Sequence, residues 1–209
     1  MARPILFNTE MVMAILRNEK TSTRRLVRAK SKNACGFYVT KRKCDGVFMG
    51  VYDYDENEKQ FDSPQAPPAQ VGDILWVRET WSECTDGYVY KAWTSPYPQP
   101  GRYTDKMMKW HPSIHMPKEA ARIFLGVTDV RVERLQDMTL DDFLAEGVVL
   151  RPEAFNDPEN AYMQSKKLFI HIWDSTIKKE QYDLFGWDAN PWVWVIEFER
   201  CEMPEGWCK

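Results

Sequence analysis

Ile15-Leu16-Arg17-Asn18-Glu19-Lys20-Thr21-Ser22-Thr23-Arg24-Arg25-Leu26-Val27 changes its period midway. On the upstream side Met11, Val12, Ile15 and Leu16 recur at helical spacing behind Asn8 or Thr9, either of which can cap a helix that ends near Asn18. From Thr21 onward, β-branched residues and alternation read as a strand. Working outward, Ile5-Leu6-Phe7 is a short strand before the helix. Gly36 to Thr40 and Gly46 to Tyr52 form a hairpin, and 53 to 70 is an acidic, proline-rich exposed connection. Ile74 to Glu79 suits a central strand, with Tyr88 to Trp93 as its neighbour and a loop over 94–117. Ile123 to Leu135 alternates long enough for a bent strand, with Leu125, Val127, Val130 and Val132 inward and Phe124 on the other face. Thr139 caps a helix stopped by Gly147; a longer helix over about 160–177 buries Leu168, Ile172 and Trp173; Trp192 to Phe198 is the last strand. Strands dominate without a β-α-β rhythm, so the expected class is α+β: a small mixed β-barrel with peripheral helices and inserted loops, built as a single domain over 1–209.

The composition fits that core. Of 209 residues 44% are hydrophobic and 13% aromatic, with nine tryptophans, which excludes a disordered or fibrous chain. No apolar run reaches the roughly 18 residues of a membrane span, and the N-terminus lacks a secretory apolar region, so a cytoplasmic protein is expected. Five cysteines (35, 44, 84, 201, 208) form no C-x-x-C pair, so reduced, partly buried thiols are expected and neither a disulfide framework nor a metal site. No glycine-rich phosphate loop is present, and no cofactor is expected. The net charge of -3 conceals a split. Residues 1–43 hold eleven Lys or Arg against two acids, +9, and the remaining 166 residues hold 17 bases against 29 acids, -12. The basic block reads either as a polyanion footprint or as a solvated face paired with the acidic remainder.

Four constellations can carry chemistry. In Lys20 to Arg25 a strand aims Thr21, Thr23 and Arg25 one way and Ser22 and Arg24 the other, so a hydroxyl and a guanidinium two apart can grip a phosphate or a base edge. A desolvated Lys20 can act as a base and a nearby threonine as a nucleophile; equally, this is a surface strand with solvated charges. In Trp76 to Trp81, Arg78 and Glu79 place a charge amid apolar neighbours on each face, and each needs a partner or ligand. The proline-bracketed loop from Lys109 to Pro117, with Trp110, His111 and His115, suits the lip of a site or a loop whose Trp110 and Met116 plug the core. Asn190-Pro191-Trp192 sets an aromatic at the start of the last strand. Trp76, Trp110 and Trp192 are the candidate stacking platforms; the other tryptophans are expected in the core.

Taken in order, Ile15 to Arg25, Val71 to Glu79, Ala145-Glu146-Gly147 and Trp194-Val195-Ile196-Glu197-Phe198 resemble the ASCH family. Lys109 to Pro117, Arg78 to Trp81 and Asn190 to Trp192 resemble the larger ASCH-type proteins of bacteriophages and prophages. The resemblance spans most of the chain except about 29–69 and 150–165, which look like insertions. It implies a PUA-like barrel with a nucleic-acid or modified-nucleoside site between barrel and helices. The partners it implies are single-stranded RNA or DNA, or a modified nucleoside, in a bacterial host or phage-infected cell. Small relatives are acetylcytidine amidohydrolases, and others are RNA-binding proteins or ribonucleases. Lys20 and Thr23 match that family's catalytic lysine and threonine, and Glu146 is the nearest match to its glutamate. Two readings follow: recognition through a basic cleft (Thr21, Arg24, Arg25, Trp76, Arg78, Glu79, Lys109, Trp110, His111, His115, Trp192), or hydrolysis by Lys20, Thr23 and Glu146, as an acylcytidine-type amidohydrolase or metal-independent ribonuclease.

Overall fold

A computed structural model of the chain describes residues 2–30, 33–44, 46, 48–85, 87–92 and 108–207. Strand β1 (Ala2–Leu6) leads into helix α1 (Thr9–Leu16), which starts where the Asn8 side chain accepts the Met11 amide. Then come β2 (Ser22–Leu26), the β3 (Gly36–Lys41) and β4 (Phe48–Tyr54) hairpin, β5 (Ile74–Arg78), and a second hairpin of β6 (Trp81–Cys84) and β7 (Gly87–Tyr90). After β8 (Phe124–Arg134) the chain forms α2 (Leu140–Ala145), α3 (Pro158–Ser175), the single-turn α4 (Tyr182–Phe185) and β9 (Trp192–Cys201).

The main sheet has the order β1-β5-β8-β9-β2. Strands β1 and β5 run parallel and the other pairs antiparallel. The class is α+β as expected, but the closed barrel is corrected: the sheet is open, with β1 and β2 as its edges among the described residues. A side chain spans that gap instead of a ladder, since Arg25 donates from Nη2 to the Leu6 carbonyl at 2.9 Å.

The long bent strand is present, and its bend has a cause. Between Val127 and Asp129 the β8–β9 register shifts by one residue, which turns the downstream half of β8 from one core to another. Upstream, Leu125 and Val127 pack with Ile5, Ile15, Leu75 and Phe198; downstream, Val132 packs with Val27, Val51 and Trp194. A third core gathers Phe143, Phe169, Trp173, Trp187 and Val195 where α2 and α3 cover the sheet.

Several expectations are corrected. Segment 88–93 does not neighbour 74–79: β7 pairs with β6, and β5 lies between β1 and β8. Trp93 and 94–107 lie outside the described residues, so those expectations are not addressed there. Segment 53–70 is not simply exposed, since Asp53, Gln65 and Ala69 are buried, with the Gln65 amide bonded to Asp53. Phe124 is buried as well, because Trp207 from the C-terminal segment covers that face of the sheet together with Trp76. Helix α3 buries Ala161, Ser165, Phe169 and Trp173, while Leu168 is exposed. Its stripe is one residue out of phase with the expected one at Leu168. Cys35, Cys44 and Cys201 are exposed rather than partly buried.

Candidate functional site

The site forms where the end of α2 meets the start of β2. Helix α2 opens with a capping box: Thr139 accepts the Asp142 amide and the Asp142 carboxylate accepts the Thr139 amide. It ends at Glu146, and Gly147 follows at φ +92°, a conformation glycine adopts without strain. A Cβ on Gly147 would lie 3.1 Å from the Ala14 Cβ and 3.2 Å from the Lys20 Cβ. Only a glycine therefore lets α1, Lys20 and this turn close together. A backbone link follows, an antiparallel Lys20–Glu146 bridge in which the Thr21 amide donates to the Ala145 carbonyl at 2.8 Å.

Inside this junction Lys20 donates from Nζ to Glu146 Oε2 at 2.6 Å and to the Glu146 backbone carbonyl at 2.9 Å. Arg24 donates to the other carboxylate oxygen, Oε1, at 3.3 Å and to Asp142 at 2.7 Å, with Glu133 at 3.6 Å. The side chains are 0% (Lys20), 1% (Arg24) and 7% (Glu146) exposed. Burial pulls the Lys20 pKa below its ordinary value, against the opposing pull of Glu146. Burial alone would raise the Asp142 carboxyl, but hydrogen bonds from Thr139 and Arg24 outweigh it and hold the group below the usual carboxylate range. Lys20 and Arg24 are thus interior cations, each matched to carboxylates. At these two positions the block is paired with the acidic remainder, as one of the two readings had it, but the pairs are buried rather than solvated.

Glu146 also faces a cleft of about 210 Å³. Met11, Ala14, Phe169, Ile172 and Trp173 supply its apolar lining, and Asn8, Thr23, Arg24 and Arg25 its polar lining. Lys20 does not line it and lies behind Glu146. Thr23 and Glu146 therefore share the cleft, with Lys20 in contact with Glu146 from the rear. Thr21 is exposed outside it, and its carbonyl accepts the Phe198 amide. The Lys20, Thr23, Arg24, Arg25 and Glu146 expectations converge on one place. Asn8, Asp142, Phe169 and Ile172 were not foreseen there. The Thr139-x-x-Asp142 spacing was a usable signal for Asp142, whereas no local pattern says which face of α3 would reach α1.

The other expected residues lie elsewhere. Trp76 is buried edge-on against Trp207, with centroids 5.8 Å apart. Trp192 lies under the Arg134 guanidinium at 4.2 Å and Lys41 at 5.5 Å. Glu79 is buried in a two-bond pair with Arg122 (2.8 and 2.9 Å), and Arg122 also lies 4.1 Å from the Tyr90 ring. Burial raises the Glu79 pKa against the opposing Arg122 charge, and burial holds the Tyr90 hydroxyl up at about 12. Arg78 is spent on the loop, donating to the Met116 carbonyl at 3.1 Å and to that of Ile114. His111 stacks on Trp81 at 4.9 Å, the Lys109 carbonyl accepts the Ser82 hydroxyl, Trp110 is half-buried and His115 exposed. This second cluster fastens the 108–120 loop to the β6–β7 hairpin and is not part of the cleft.

No family model and no curated protein matches the chain. Among solved structures it is similar to an ASCH domain from Lactobacillus crispatus JV V101, at 12% identity and a TM-score of 0.39, over 95% of this chain and 79% of that one. No helix among the described residues is long and apolar enough to cross a membrane.

Proposed function

We propose that the cleft recognises a single base, either of a nucleic acid or of a modified nucleoside. The observation that carries this reading is Glu146: a carboxylate held by one cation on each oxygen and presented in an aromatic-lined cleft. A carboxylate fixed in that way accepts N–H donors, which base edges and amide-modified bases offer and phosphates do not. Its volume, about 210 Å³, falls below the roughly 300 Å³ at which pockets for drug-sized ligands begin, which suits one base and excludes a stacked run of them. The motif resemblance to ASCH proteins points the same way. A thermal-shift panel of natural and acylated nucleosides tests it. A ligand at 100 times its Kd stabilises the fold by about 2.7 kcal/mol, and Thr23→Val, which keeps the side chain's shape, is expected to weaken that shift. A panel in which no member moves the melting temperature would refute the reading.

A second reading rests on the lowered Lys20 pKa beside Glu146 and a hydroxyl in the same cleft. In it the protein is an amidohydrolase. Here Lys20 starts as the neutral amine, the form that burial favours: Thr23 Oγ1 attacks the acyl carbon of an acylated amino base, and its proton passes to Glu146, which relays it to the Lys20 amine behind. The same relay returns the proton to the departing base nitrogen as the carbon–nitrogen bond breaks. Water then cleaves the threonine ester, releasing the acid. Release of cytidine from acetylated cytidine, abolished in Thr23→Val and in Lys20→Ala, is the expected result. Intact substrate, or undiminished turnover by Lys20→Ala, would exclude this reading and leave recognition standing.

A further inference from the structure

The cleft continues past Asn8. A second cavity of about 380 Å³ abuts it, and the two share Asn8, Met11, Arg25 and Thr176. Its far wall is Thr80 with Pro112 and Ser113 of the loop fastened by Arg78. The two lobes differ in charge. The first contains Glu10 and Glu146 beside its arginines, whereas Arg25 is the one ionisable residue among the described residues lining the second. Thr9, Thr80, Ser113, Thr176 and Asn8 complete its polar lining, with the Thr176 hydroxyl already donating to the Trp173 carbonyl and the Asn8 Oδ1 already accepting the Met11 amide.

Arg25 stands at the junction of the lobes. One of its nitrogens is committed to the Leu6 carbonyl at 2.9 Å, and its guanidinium lies 5.4 Å from the Phe7 ring. These two contacts fix the group, and a guanidinium's remaining N–H donors suit a phosphate. Asn8 and Thr9 lie at the positive end of α1, which adds to the same potential. An arginine, hydroxyls and no carboxylate form a lining for an anion, next to a lobe whose carboxylate suits N–H groups.

On the reading that the first lobe takes a base, we infer that the second lobe takes the phosphate attached to that nucleoside. The ligand class is then a nucleotide, free or within a strand, and not a free nucleoside. Titration calorimetry of the full chain tests this with acetylated cytidine, its 5′- and 3′-monophosphates, and a dinucleotide containing it. One of the monophosphates is expected to bind about tenfold more tightly than the nucleoside through charge-assisted hydrogen bonds, an advantage that shrinks as salt rises. Ser113→Glu, which sets a carboxylate in the second lobe, is expected to erase most of that ratio, as is Arg25→Ala. A dinucleotide tighter than either monophosphate identifies a strand as the source, and equal affinity identifies a free nucleotide. If nucleoside and nucleotides bind equally, or Ser113→Glu leaves their ratio intact, the phosphate lobe is overturned while the base site stands. If none of them binds, the reading of the cleft falls and this inference with it.

Discussion

Glu146→Gln tests the interior charge cluster directly. The substitution keeps the side chain's size but removes the negative charge from between Lys20 Nζ, at 2.6 Å, and Arg24, at 3.3 Å. Lys20 is fully buried, so no water replaces the lost partner. Removing one member of a buried pair typically costs about 3–5 kcal/mol. An upper bound comes from the lysine itself, which can shed its proton: neutralising an ordinary lysine at pH 7 costs roughly 4.6 kcal/mol, and at pH 9 roughly 2 kcal/mol. The sign follows from linkage. The folded pKa of Lys20 is already lowered by burial, and the variant loses the opposing pull of Glu146 and drops further. A lowered lysine pKa means the unfolded chain binds more protons, so stability rises with pH through the window between the folded value and the ordinary one. The variant's deficit is therefore expected to be about 3 kcal/mol or more at pH 7, up to the bound of roughly 4.6 kcal/mol, and to shrink to roughly 2 kcal/mol or less at pH 9. Urea unfolding at the two pH values measures it, with an unchanged m-value as the check that compactness is the same. A deficit under about 1 kcal/mol at pH 7, the scale of a surface pair, or one that does not change with pH, would refute the argument.

Five further substitutions probe the junction and other parts of the molecule. Arg24→Ala leaves Glu146 and Asp142 short of a cation and is expected to cost about 3 kcal/mol in urea unfolding, whereas Arg28→Ala, at an exposed residue of the same basic block, is expected to stay within about 0.5 kcal/mol. Gly147→Ala forces a side chain into φ +92° against Ala14 and Lys20; a loss of about 1–3 kcal/mol and a weaker ligand-induced thermal shift are expected. Phe143→Ala opens the core beneath α2 and α3, where Phe143 is fully buried, and is expected to cost about 3–5 kcal/mol by thermal or chemical unfolding. Glu79→Gln tests the second cluster. Because the folded Glu79 pKa is raised, wild type loses stability relative to the variant as pH climbs from the ordinary glutamate value of about 4.3 toward the raised one, so the variant's deficit in urea is expected to narrow over that window.

The elements themselves were largely legible. The helix-to-strand change at Lys20, the β3–β4 hairpin, the capped α2 with its Gly147 stop and the long β8 all follow from local propensity and capping. The pairing of 74–79 with 88–93 misled, because sequence proximity suggested a neighbour where the chain instead turns back at Trp81 to make its own hairpin. The phase of α3 misled at Leu168, because its neighbours on α2 and near Trp187 are contributed from elsewhere in the chain and favour Phe169.

For the site, residue types and spacing marked Lys20, Thr23, Arg24 and Arg25 as candidates, and motif order added Glu146, 126 residues along the chain from Lys20. Sequence by itself could not decide whether those charges face water or one another. That depends on the α2 turn being docked on β2 through Gly147, which removes water from Lys20 and Arg24 and leaves carboxylates as their partners. Nor could it decide which tryptophans are free, since the covering partners of Trp76 and Trp192 are Trp207, Arg134 and Lys41, all distant in sequence. Local sequence fixes periodicity, caps and turns because these depend on neighbours a few residues away. Burial, and with it the protonation and availability of every candidate side chain, is set by contacts between segments that only the folded chain brings together.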